Sequence, residues 1–122
     1  MKSDFTYIDD IIEGVYRCCH KPVYIDNEFN YLNPNQSTSF APFRIFNIGN
    51  SDPIELCRFI EVLEKELGVK SIKNFLPMQL GDVESTAAKT DLLENWINFK
   101  PSTSIETGVR KFAKWYLNYY KK

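Results

Sequence analysis

The chain has 122 residues, 43% hydrophobic and 15% aromatic, a composition that suits one packed globular domain and excludes disorder. Fifteen basic and sixteen acidic residues leave a formal net charge of −1, so no sequence-wide field draws it onto nucleic acid or an anionic membrane. No apolar run approaches the roughly 20 residues of a spanning helix. Met1-Lys2-Ser3-Asp4 opens no hydrophobic signal core, and the chain reads as soluble and cytoplasmic.

In chain order, Asp4 to Ile8 is a short apolar and aromatic run that predicts a strand. It leads into Asp9-Asp10, suited to cap and charge a helix N-terminus. Ile12, Val15, Tyr16 and Cys19 recur at helical spacing as far as His20, and Pro22 closes that helix. A long polar connection follows to Pro42, and residues 28–41 are its loop. Phe43 to Ile48 is β-branched and aromatic and predicts a buried strand. Asp52, Pro53 and Glu55 form a helix-start signal and Gly68 a stop. Between them Leu56, Phe59, Ile60, Leu63 and Leu67 share a face, with Glu61 and Lys65 as an i,i+4 pair on the other.

Ser71 to Phe75 predicts another strand. The octet Leu76-Pro77-Met78-Gln79-Leu80-Gly81-Asp82-Val83 is an irregular loop in which an amide and a carboxylate, Gln79 and Asp82, stand three residues apart and could converge on a ligand. From residue chemistry alone, an ordinary surface turn explains the same pair. Thr90 caps a short helix carrying Leu92, Leu93 and Trp96. Thr103 and Glu106 form a capping box for a last helix with Ile105, Val109, Phe112, Ala113, Tyr116 and Tyr120 on one face and Lys121-Lys122 as a solvated tail. The three cysteines, Cys18, Cys19 and Cys57, fit neither a disulfide framework nor a zinc site and read as reduced thiols in or near the core. No metal ligand set is expected.

Four motifs in order carry a resemblance: Asp4-Phe5-Thr6-Tyr7-Ile8-Asp9-Asp10; Phe46-Asn47-Ile48-Gly49-Asn50; Leu76-Pro77-Met78-Gln79 with Gly81-Asp82-Val83; and Phe99-Lys100-Pro101-Ser102-Thr103 leading to Gly108, Phe112, Trp115 and Tyr116. Together they resemble the C-terminal part of extended short-chain dehydrogenases, above all the NAD-dependent nucleotide-sugar epimerases, and the Leu-Pro-Met-Gln loop is similar to that of UDP-glucuronate 4-epimerases. The resemblance implies an α/β substrate-binding portion of short strands and about four helices, spanning residues 1–122 as a single domain. It also implies that 4–20 and 43–68 belong partly to the Rossmann sheet of the full-length family. It implies an isomerase of polysaccharide biosynthesis that oxidises C4 transiently on NAD, and a UDP-sugar held at Gln79 and Asp82. A galactose-type relative would have arginine at the Gln79 position, so Gln79 implies a neutral contact in place of an ion pair.

The departures are equally specific. The five glycines, at 14, 49, 68, 81 and 108, have no pyrophosphate-binding spacing, and no tyrosine is followed by lysine four positions on. Ser3 stands where the family has a phosphate-binding arginine, with Lys2 beside it as a partial substitute. The expectation is therefore a chain with no catalytic or cofactor residues of its own, inactive alone. Its partners would be a UDP-sugar and either a separate Rossmann half or a second copy across an uncovered apolar face. The competing expectation is a non-catalytic interaction module or remnant that keeps the same fold.

Overall fold

The computed structural model describes residues 1–121, so the expected solvated tail lies outside the described residues at Lys122. In order, the elements are β1 (Lys2–Ser3), α1 (Ile8–His20), β2 (Ile54–Glu55), α2 (Leu56–Leu67), α3 (Asp91–Ile97) and α4 (Ile105–Tyr119). β1 and β2 pair antiparallel, with Lys2 opposite Glu55 and Ser3 opposite Ile54. α2 packs along α4, and α1 meets α3.

The helices form where the sequence predicts them, but their starts differ. α2 begins at Leu56 behind Glu55 and takes no side-chain cap, because Ile54 and Glu55 are diverted into β2 pairing, which leaves Asp52 four residues before the first helical residue. α4 is capped by Ser104, whose Oγ accepts the Thr107 N–H at 3.3 Å, and not by Thr103. Thr103 instead gives its N–H to Asp10 Oδ2 at 3.0 Å, and Ser102 does the same at 3.2 Å. Asp10 therefore ties the approach to α4 to the first turn of α1, whose N-cap Tyr7 has no side-chain bond. The predicted Glu61–Lys65 pair does not form, and Glu61 faces Arg58 at 3.7 Å. Gly68 ends α2 as expected, left-handed at φ 69°.

The expected strands differ more. Residues 4–7, 43–48 and 71–75 form no ladder apart from a single Thr38–Arg44 bridge. A strand exists only where another backbone offers its N–H and C=O groups in succession, and here the described pairing stops at that bridge and the Ile45 N–H bond to Ser37 O at 3.0 Å.

Buried side chains are few. α2 buries Val62, α4 buries Gly108, Val109 and Ala113, and α3 buries Leu93 and Ile97, with Pro101 fully buried beyond it. α1 buries only Gly14, where a Cβ would stand 2.5 Å from Ile48 Cδ1. Its apolar stripe faces solvent: Ile8, Ile12, Val15 and Tyr16 are each more than half exposed, and Cys19 is exposed. Cys57 is exposed and Cys18 half-buried, which removes two of the three thiols from the expected core. Burial, then the neighbouring Cys19, pushes the Cys18 thiol pKa up. No helix among the described residues is long and apolar enough to cross a membrane.

Candidate functional site

The segment carrying Gln79 and Asp82 leaves α2 at Gly68 and is held at both of its ends. At the first end, Glu64 is a nearly buried carboxylate with four donors around it. Its Oε1 accepts the Ser71 N–H at 2.9 Å, the Ser71 hydroxyl at 2.6 Å and Lys73 Nζ at 2.7 Å, and its Oε2 accepts Lys70 Nζ at 3.2 Å. Lys73 first, then Ser71, holds the Glu64 carboxyl well below the ordinary glutamate range against the opposing effect of burial. At the second end, Lys2 donates its N–H to Glu84 O at 2.9 Å and accepts that of Thr86 at 3.1 Å, with a parallel bridge from Lys2 to Ser85.

Between these posts residues 74–83 are exposed. Within them Asp82 N–H bonds to Gln79 O at 3.2 Å, and Gly81 has φ 96° at the third position of the turn. That is the position where a turn of this hand requires glycine. The turn puts Gln79 and Asp82 at its two ends with Leu80 fully exposed between them. Both residues of the pair are exposed, and neither lines the clefts described next.

Past Ser85 the chain enters the wall of a cleft of about 280 Å³ lined by Asp4, Thr6, Ile48, Gly49, Thr86, Ala87 and Ala88. Asp4 Oδ2 accepts the Ser51 N–H at 3.0 Å, while its Oδ1 is buried with no partner among the described residues. A second, apolar cleft of about 230 Å³ lies between residues 5–7, α2 and the start of α4. Phe5 and Phe59 stack there with centroids 4.5 Å apart. Beside it, Arg58 reaches Glu106 at 2.8 Å. The backbone N–H of Glu106 itself, then Arg58, keeps that carboxyl below its usual range.

The glycines do not fit a dinucleotide. Gly14, Gly49 and Gly108 are pressed against Ile48, Asp4 with Ala88, and Tyr7, while Gly68 and Gly81 serve turns. The first turn of α1 carries Asp9 and Asp10, whose charge opposes a pyrophosphate. Sequence reasoning missed Glu64, Asp10 and Asp4 as organising carboxylates. For Glu64 a signal was present: an acid one turn before the helix-ending Gly68, followed at once by Lys70, Ser71 and Lys73.

This fold, with this loop and without a nucleotide cradle, resembles the C-terminal part of extended short-chain dehydrogenases of the nucleotide-sugar epimerase kind. A UDP-glucose 4-epimerase from Bifidobacterium longum, solved with NAD+ and UDP, superposes with a TM-score of 0.69 at 16% identity over 94% of this chain and 30% of that one. In sequence, the chain is similar to the UDP-glucuronate 4-epimerases. It is 45% identical, over its full length, to a probable UDP-glucuronate 4-epimerase of Rhizobium meliloti and to protein CapI of Staphylococcus aureus, covering 36% of each. The chain thus spans about a third of the length of the curated relatives it matches. No protein-family model matches it.

Proposed function

We propose that the chain is the UDP-sugar-binding C-terminal part of a UDP-glucuronate-type 4-epimerase, with Gln79 and Asp82 as nucleotide contacts. The observation that carries this is the 45% identity to the probable UDP-glucuronate 4-epimerase over the whole chain. The turn 79–82 supports it, because it holds an amide and a carboxylate at the two ends of one exposed loop. Such a pair can accept and donate hydrogen bonds to uracil and ribose, and rejects ligands lacking those groups. Lys2, beside the second post of the loop, is the point charge available to a diphosphate.

These 122 residues hold neither a glycine fingerprint nor a Tyr-x-x-x-Lys pair, so hydride and proton transfer depend on residues outside them. The bare stripe of α1 supports a covering Rossmann portion: four large apolar side chains in register on one helix face are more than half exposed. Residues 4–20 and 43–68 supply the side that meets it, and the run 43–48, paired only at Arg44 with Thr38 and at Ile45 with Ser37 O among the described residues, has room for a further strand beside it.

Titration of UDP into the chain by calorimetry tests the nucleotide contacts. Gln79→Ala and Asp82→Ala are each expected to weaken binding about tenfold, the scale of one or two lost hydrogen bonds to a ligand. The exposed α1 face also suits a non-catalytic interaction module. Absence of UDP binding, together with no effect of either substitution on any partner, selects that reading.

A further inference from the structure

We infer that Glu64 is a positioning residue for the nucleotide loop, the anchor that sets where residues 74–83 depart from α2; this rests on the reading of Gln79 and Asp82 as nucleotide contacts. Glu64 lies on α2, away from the loop, yet its carboxylate is nearly buried and takes donors from three residues of the departing segment: Lys70, Ser71 and Lys73. Packing alone does not call for an ionised group there, since any apolar side chain of similar size would fill the same side of α2 without the cost of desolvating a charge. What a carboxylate adds is direction, because two oxygens receiving four donors hold the backbone of Ser71 and two lysine ammoniums in one arrangement.

The far end of the loop is fixed separately, by the pairing of Lys2 with residues 84–86. Between the two posts, the described backbone bonds include one turn, from Asp82 to Gln79. The span of the loop, and hence where Gln79 can stand, is therefore set by the posts. Removing one post leaves the turn intact but lets it wander.

Two measurements on the 122-residue chain test this: amide hydrogen exchange, and UDP affinity by calorimetry. Glu64→Ala keeps a good helix former in α2. It is expected to speed exchange of the Ser71 amide, which Glu64 Oε1 accepts, by about tenfold or more, to leave α2 and α4 amides unchanged, and to weaken UDP binding several-fold. The double variant Ser71→Ala with Lys73→Met removes donors from the loop side and is expected to do the same, which keeps the inference testable if Glu64→Ala does not fold. Gln79→Ala is expected to weaken UDP binding with no change in exchange of the Ser71 amide. Wild-type exchange and UDP affinity in a folded Glu64→Ala, or in the double variant, overturn the anchor while leaving the nucleotide reading in place. A wild-type chain that takes up no UDP overturns the nucleotide reading, and the positioning role falls with it.

Discussion

Gly49 sits where the segment at 46–50 passes Asp4 and Ala88. A Cβ there would stand 2.7 Å from Asp4 Oδ2 and 3.0 Å from Ala88 Cβ. The Ala88 Cβ cannot rotate away, and Asp4 is committed to the Ser51 N–H, so Gly49→Ala is expected to destabilise the chain by about 1–3 kcal/mol in chemical denaturation, the usual cost of overpacking. An unchanged midpoint would show that the contact is slack. Glu64 gives a pH dependence of definite sign. Its carboxyl is depressed in the folded chain below the ordinary 4.5, so the clasp contributes fully above that value and loses its contribution as pH falls below it. The stability advantage of wild type over Glu64→Gln is accordingly expected to hold above about pH 5 and to shrink steadily from there down to about pH 3 in urea titrations, while a constant difference would mean that the charge is not what holds the segment. Carboxylates such as Asp10 and Asp4 are poorly legible in a sequence, because each acts on donors brought to it by the fold, at 47 residues' distance for Asp4 and Ser51 and 92 for Asp10 and Ser102, whereas the donors of Glu64 lie only 6 to 9 residues on.

At the scale of elements, the apolar periods that mark the helices and the Gly68 stop are borne out, whereas the caps expected at Asp52 and Thr103, the Glu61–Lys65 pair and the strands are not. The α2 helix was readable from its apolar period and from Gly68, since both act within a turn or two of chain. The strand expectations at 4–8, 43–48 and 71–75 rested on composition alone, and strand formation is decided by a partner that composition does not name. The capping of α4 was read one residue early, and Ser104 is the residue whose loss matters. Ser104→Ala is expected to cost about 0.5–2 kcal/mol, and Thr103→Ala less, in thermal or chemical unfolding, because only the former removes a side-chain acceptor from an orphan N–H. On α1 the expectation is inverted: Ile12→Glu with Val15→Lys removes exposed apolar surface and is expected to change stability by no more than about 0.5 kcal/mol. The same double variant is expected to abolish binding of a hydrophobic dye or of any partner that covers the stripe. A large loss of stability would instead mean that the face is buried in the isolated chain.

For the whole molecule, a small core and an uncovered helix face sit beside a loop tethered at both ends. On the function proposed above, such a structure is the closing side of a larger cleft, with the exposed stripe of α1 facing a covering portion and the exposed 79–82 turn meeting the nucleotide. The four ordered motifs made the epimerase-like fold legible, whereas the exposure of α1 could not be read from its sequence, because an amphipathic stripe looks the same whether its cover lies in the same chain or elsewhere. The most direct measurement is conversion of UDP-glucuronate to UDP-galacturonate by this chain mixed with the separately folded N-terminal two-thirds of the Rhizobium meliloti relative, of which this chain matches the remaining 36%. Turnover that requires both pieces and falls about tenfold or more with Gln79→Ala is the predicted result; a mixture in which both pieces are folded and associated, yet no sugar is epimerised, would contradict the account.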